Sequence, residues 1–201
     1  PEDPKSYNNY AANLAKEDSS LFYIDQHNNL DNNEAHYMTT GPELWEQMDG
    51  NIDYFVAGVG TGGTLFGVGK FLKEKNPNIK LIGIDPYGSV FYDYFKTKKM
   101  ITPYRYNIEG IGDEFILPTA PLEMMDDMLQ IEDSKAIGWT KKLAFEEAII
   151  AGGSSGGNVW GAVQIAKQID REANIVTLIC DTGYKYLTSI YNDEWLKKNN
   201  L

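Results

Sequence analysis

Ile52-Asp53-Tyr54-Phe55-Val56-Ala57-Gly58-Val59-Gly60-Thr61-Gly62-Gly63-Thr64-Leu65 is the stretch on which the fold turns. Ile52 to Gly58 is short, apolar and bounded by polar residues, so it reads as a buried strand. Gly60 to Thr64 is a glycine loop. A helix is predicted from there to about Lys75, with Leu65, Val68 and Leu72 on one face. Ile79 to Asp85 is the next strand. Strand, glycine loop, helix and strand make a βαβ unit, whose crossover is expected to be right-handed.

Downstream, residues 86–133 read as irregular, rich in Tyr, Pro and Gly. Ser134 can start a helix with Ala136, Trp139 and Leu143 inward. Gly152-Gly153-Ser154-Ser155-Gly156-Gly157 opens another, carrying Val159, Ala162, Val163 and Ala166. Ile175 to Ile179 reads as a buried strand ending at Cys180-Asp181-Thr182-Gly183. Upstream, Thr40-Gly41-Pro42-Glu43 has capping-box spacing and Gly50 closes that helix. Gln26 to Asn33 is a polar loop and the best domain boundary. Leu21 to Asp25 is a strand candidate. Ser6 can cap a first helix with Tyr7, Tyr10, Ala11 and Leu14 on one face, and Pro1 to Pro4 reads as a loop. The alternation predicts an α/β fold with a mostly parallel sheet flanked by helices.

The 201 residues are 42% hydrophobic and 23% charged, the balance of a globular chain. No run is long and apolar enough for a membrane span, and no signal-peptide pattern opens the chain. The net charge of −11 repels phosphate backbones and argues against nucleic-acid partners. Cys180 alone makes no internal disulfide and no cysteine zinc cage, which suits a reducing cytoplasm. His27 and His36 lack metal-ligand spacing. No metal is expected; His27 reads as a loop residue and His36 as structural.

The glycine loop is an anion site: glycines let backbone approach a phosphate, and Thr61 and Thr64 add hydroxyls. The same stretch fits a dinucleotide fingerprint through Gly58, Gly60 and Gly63, with Asp85 placed to read a ribose. An NAD-binding domain is therefore a rival reading, although the second serine-glycine loop is unexplained by it. Gly152-x-Ser154-x-Gly156 matches a nucleophile elbow, but a helix precedes it and both histidines lie upstream. Ser154 reads better as a hydrogen-bonding group at the mouth of a sheet. Cys180 reads as an inert buried thiol that could touch a ligand at a strand end. Gly110-Ile111-Gly112-Asp113-Glu114 suggests a turn closing on a small ligand. Lys70, Lys73 and Lys75 read as solvated.

Asp25-Gln26-His27-Asn28-Asn29, Glu34-Ala35-His36-Tyr37, Val59-Gly60-Thr61-Gly62-Gly63-Thr64, Glu109-Gly110-Ile111-Gly112 and Gly152-Gly153-Ser154-Ser155-Gly156 occur in an order that resembles the cysteine synthase and cystathionine β-synthase family. These are fold type II pyridoxal-phosphate enzymes. The resemblance implies that residues 1–27 end a small domain and that 28–201 form the large cofactor-binding domain. It implies pyridoxal 5'-phosphate as cofactor, with Gly60, Thr61, Gly62, Gly63 and Thr64 on its phosphate and Ser154 on its pyridine nitrogen. Gln26 and Gly110 would contact the amino-acid substrate. A homodimer is implied. The family's Schiff-base lysine lies upstream of the glycine loop, outside this chain, so the chain by itself is expected not to complete the reaction.

Asp113 and Glu114 depart from the family pattern, where a small or aromatic residue often stands at the first position. An acid there would face the substrate's β-carbon and orient or deprotonate a water. The implied reaction is β-elimination through an aminoacrylate, with hydrogen sulfide leaving L-cysteine and water giving serine, as in hydrogen-sulfide-producing cysteine lyases. Cysteine synthase or cystathionine β-synthase activity is the nearer alternative. A non-catalytic fragment is the third reading.

Overall fold

The computed structural model describes residues 6–201, so the loop read at Pro1 to Pro4 lies outside the described residues. Helices and strands alternate as α1 (Tyr7–Glu17), α2 (Asp31–Met38), α3 (Thr40–Gln47), β1 (Tyr54–Gly58), α4 (Gly63–Lys75), β2 (Lys80–Pro86), α5 (Phe91–Thr97), β3 (Asp127–Ile131), α6 (Asp133–Glu147), α7 (Gly153–Gln168), β4 (Ile175–Thr177) and α8 (Asp193–Lys198). The four strands form one parallel sheet in the order β3-β2-β1-β4.

Side-chain alternation along the strands supplies two cores, one on each face. Phe55, Ala57 and Leu81 pack with Leu65, Val68, Leu72 and Phe91 from α4 and α5. Val56, Ile82 and Ile84 pack with Ala136, Ile137, Ile165 and Leu196 from α6, α7 and α8. The chain runs outward from β1 through β2 to β3, then returns to the other side of β1 for β4. Parallel strands on either side of such a reversal part at their carboxyl ends, and ligands bind in the crevice that opens there.

The βαβ unit forms as read, with β1 starting two residues later. Several expectations around it are corrected. Leu21 to Asp25 forms no strand; among the described residues the segment has no partner strand, and Phe22 and Ile24 are exposed. The polar stretch 26–33 is shorter as a loop, because α2 begins at Asp31. The capping box at Thr40 does not form: Thr40 Oγ1 instead meets His36 Nδ1 at 2.9 Å, and Glu43 lies within α3. Gly50 does close α3, its positive φ of 70° letting its N–H donate to Trp45 O.

Residues 86–133 are less irregular than read. They hold α5, whose aromatic sequence carries no clear helical period, and β3, an edge strand without a β-branched run. The inner face of α6 is Ala136, Ile137, Thr140 and Leu143, with Trp139 only half-buried. The inner face of α7 is Asn158, Gly161 and Ile165, and Ala166 is exposed. β4 stops at Thr177, and Ile179 is exposed because β4 is an edge strand. Ser6 caps α1 by accepting from Asn9 N–H at 3.4 Å. Tyr7 and Tyr10, read as the apolar face of α1, are largely exposed. Among the described residues, no helix is long and apolar enough to cross a membrane.

Candidate functional site

The site lies where β1 ends. Gly62 adopts a φ of 85°, which turns the chain from loop to helix at the first residue of α4. The first intrahelical bond of α4 runs from Phe66 N–H to Gly62 O, so the amides before it have no carbonyl acceptor within the helix. Their partial positive charge is what an anion would meet. Neighbouring chain leaves no room for side chains here. A methyl at Gly60 would stand 2.6 Å from Gly110 O, and one at Gly63 1.9 Å from Asn32 Oδ1.

Both threonine hydroxyls of the loop are positioned by α2. Asn32 Nδ2 donates to Thr61 Oγ1 at 2.9 Å. His36 bridges two helices, with Nε2 3.0 Å from Thr64 Oγ1 and Nδ1 2.9 Å from Thr40 Oγ1. Partial burial lowers the His36 pKa and favours the neutral ring. With the ring proton on Nε2, Thr64 accepts and keeps its own hydrogen for a ligand. The structural reading of His36 holds in this sense. Neither Asn32 nor α2 was legible as part of the site, since Asn-rich polar sequence reads as loop.

Two contiguous clefts open at this loop. One, of about 230 Å³, is lined by Gly58, Gly60 to Thr64, Gly110, Ser154, Asn158 and Cys180. The other, of about 790 Å³, is lined by Gly60, Thr61, Thr64, Gln26, His27, His36, Tyr106, Gly110 and Asp113. The glycine loop and Ser154 thus share one cleft, while Gln26 and Asp113 share the other. Gly60 and Gly110 border both. Lys70, Lys73 and Lys75 line neither; Lys73 pairs with Asp126 at 2.8 Å.

Asn158 is a site residue missed from sequence. It is fully buried, one turn after Ser154, and plugs the parting between β1 and β4. Its Oδ1 accepts from Gly58 N–H at 2.7 Å, and its Nδ2 donates to Leu178 O at 3.0 Å and lies 3.3 Å from Cys180 Sγ. Cys180 is not the buried thiol expected. It is solvent-exposed and its N–H donates to Ser155 Oγ at 2.9 Å, because β4 has ended before it. Protein packed around the sulfur still pushes the thiol pKa up. Ser154 is buried in the first turn of α7 beside Cys180, with no histidine lining its cleft. That arrangement leaves the nucleophile-elbow reading without a base.

The turn bearing Gly110 and Asp113 docks on the glycine loop through Gly112 N–H to Val59 O, 2.7 Å. Asp113 Oδ1 accepts from Glu114 N–H at 2.7 Å, and Asp113 Oδ2 lies 3.8 Å from His27 Nε2. Burial raises the Asp113 pKa, against the opposing pull of the Glu114 amide and His27. His27 is therefore more than a loop residue, since it faces the acid across the cleft. Asp85 is wholly buried, and its Oδ2 accepts from Tyr92 N–H at 2.9 Å. A carboxylate so enclosed cannot reach a ribose, which overturns its dinucleotide role.

Residues 1–181 match the family model described as pyridoxal-phosphate dependent enzyme. Cystathionine beta-synthase of Apis mellifera is 37% identical over 194 residues, covering 96% of this chain and 38% of its own length. Cysteine synthase of Staphylococcus aureus (strain N315) is 38% identical over 175 residues, covering 87% of this chain and 54% of its own. Cysteine synthase 1 of Neurospora crassa is 34% identical over 205 residues, covering 100% and 54%. The chain spans about half, or less, of the length of these curated relatives. Pyridoxal phosphate is the expected cofactor, and the NAD reading falls with Asp85. Its parallel sheet, its glycine loop at the sheet reversal and the match over residues 1–181 make this chain a member of the pyridoxal-phosphate dependent enzyme family.

Proposed function

We propose that this chain carries the cofactor phosphate site and part of the substrate site of an enzyme that converts L-cysteine and water to serine and hydrogen sulfide. The residues fit pyridoxal phosphate: the glycine cradle would be filled by any Cβ, the leading amides of α4 lack helical acceptors, and two hydroxyls border the same cleft. In this reading Gly60 to Thr64 hold the phosphate and Ser154 donates to the ring nitrogen. The cofactor, when bound, stabilises negative charge at the substrate α-carbon.

The steps that this chain can supply belong to its own residues. Gln26 and the Gly110 backbone hold the substrate carboxylate and exclude water from one side. Loss of the α-proton and of the sulfur from the β-carbon comes first, the sulfur taking up a proton and departing as hydrogen sulfide. Asp113 then takes a proton from water as the water oxygen bonds to that β-carbon, and a proton returns to the α-carbon. The observation that carries this reading is the place of Asp113, half-buried, on the wall that Gln26 and Gly110 share, with burial raising its pKa toward that of a general base. Relatives named for synthase reactions support β-replacement chemistry generally, with sulfide or homocysteine thiols as the competing nucleophiles. The same reading takes the protein as a cytoplasmic homodimer with a domain boundary near residue 27.

Asp113→Asn in the holoenzyme tests it. Serine formation from cysteine should fall at least about a hundredfold, while addition of a thiol nucleophile, which brings its own low-pKa proton, is largely retained. Unchanged serine formation would sink the water reading.

A further inference from the structure

The turn that carries His27 is pinned at three points. Asp25 takes a φ of 52°, and its carbonyl accepts the N–H groups of Asn28 at 3.0 Å and Asn29 at 2.8 Å. Gln26 O accepts from Asn32 Nδ2 at 3.0 Å, the same amide that holds Thr61. His27 O accepts from Thr119 Oγ1 at 2.9 Å. The ring of Phe115 backs the imidazole at 6.3 Å between centroids. So fixed, the His27 side chain faces Asp113 across the larger cleft, and each is only 15% exposed.

Asp113 Oδ1 is held by Glu114 N–H, and Oδ2 is the oxygen turned toward His27 Nε2. Their separation of 3.8 Å is too long for a direct hydrogen bond, and it suits one water about 2.8 Å from each atom. Gln26, next to His27, and Gly110 line the same cleft, and Gly110 also borders the cleft of the glycine loop. The gap between His27 and Asp113 thus lies in the cleft that the proposed reaction gives to its amino-acid substrate.

We propose that His27 is a second catalytic residue, the group that selects water over a thiol as nucleophile; this rests on the reading of Asp113 as the base. A water brings two hydrogens to the site and a thiol brings one. Asp113 Oδ2 takes one hydrogen of the water as a proton while the oxygen bonds to the β-carbon. The other stays on that oxygen and becomes the hydrogen of the serine hydroxyl. With its own ring proton on Nδ1, neutral His27 accepts a hydrogen bond from this second hydrogen through Nε2. Two acceptors fix both hydrogens and leave a lone pair of the oxygen free for the carbon. A thiol uses only the first acceptor, so His27 gives it no such help.

The test is a competition in the holoenzyme between water and β-mercaptoethanol, with L-cysteine as substrate and with serine and S-hydroxyethylcysteine quantified by mass spectrometry. Both products form after sulfide has left, so their ratio is blind to folding yield, cofactor loading and the earlier steps. His27→Phe keeps a ring against Phe115 but has no acceptor, and should lower the serine-to-thioether ratio about tenfold, the worth of one hydrogen bond. His27→Gln, whose amide oxygen can accept, should recover most of that loss. An unchanged ratio in His27→Phe overturns the proposal. So does an equal loss in His27→Gln, which would assign the effect to ring shape. Asp113→Asn separates the two readings. A ratio that falls there but not in His27→Phe removes the role of His27 alone, whereas a ratio that holds in Asp113→Asn removes the water reading and the part of His27 in it.

Discussion

Asn158 Oδ1 accepts the N–H of Gly58 at 2.7 Å and thereby joins the first turns of α7 to the end of β1. Past Val56 and Thr177 the two strands no longer pair, and one amide side chain stands in for the missing ladder. The glycine loop begins two residues after Gly58, and Ser154 lies one turn before Asn158. Asn158 thus bridges β1 and the segment after β4 at the base of the crevice.

Asn158→Ala should strand Gly58 N–H and the Leu178 carbonyl in a dry site. The expected loss is about 2–4 kcal/mol of stability, with weaker cofactor retention. Urea unfolding reads the first and titration with pyridoxal phosphate the second. Asn158→Asp keeps the acceptor for Gly58 but sets a carboxylate against Leu178 O, so it should fall between wild type and alanine only in acid.

Gly60→Ala should push the Gly110 turn away, because the new methyl meets Gly110 O at 2.6 Å and backbone cannot swing aside. Cofactor affinity should fall about tenfold or more for a displacement of this size. Circular dichroism should remain near wild type, as the sheet is untouched. Unimpaired cofactor binding would show that the turn yields.

His36 is held below its ordinary pKa of 6.5, so the unfolded chain binds a proton that the folded one resists. Stability linked to this ring is fully present above about pH 6.5 and lost as pH falls below it. Thermal melts of wild type and His36→Gln across pH 5 to 8 should converge in acid. A pH-independent gap between them would leave His36 neutral throughout.

Asp85 behaves in the opposite sense. Its folded pKa of about 7 exceeds the reference 3.8, so the folded state binds the extra proton and stability falls as pH rises between these values. A shift of that size corresponds to about 4 kcal/mol at most. Asp85→Asn should remove this slope, and be more stable than wild type at pH 8. Chemical denaturation at pH 5 and pH 8 measures both.

Cys180 opens on the crevice, and its thiol pKa is raised by the packing around sulfur. Alkylation by iodoacetamide should be slow at pH 7, quicken as pH rises, and be suppressed by bound pyridoxal phosphate. An alkylation rate indifferent to the cofactor would place the ligand away from Ser154.

Local sequence by itself determined the βαβ unit and the glycine loop of this protein. A buried strand, a run of glycines and an amphipathic helix leave little conformational choice, and 60–64 can hardly be anything but a tight turn against close neighbours. Ser6 as a cap and Gly50 as a helix terminator were legible for the same reason: each acts on its own few residues. What depended on partners was not legible. Leu21 to Asp25 has strand-like residues and, among the described residues, no strand to pair with, whereas Asp127 to Ile131 has a plain sequence and is a strand because β2 lies beside it. Asn158 reads as one polar residue within a helix until β1 and β4 part around it. Asp85 keeps the spacing of a ribose ligand, yet the tertiary structure encloses it and sets its carboxylate against the Tyr92 amide. Spacing along a chain fixes which chemistry is present; the packing of distant segments decides which of those groups meet water, ligand or each other.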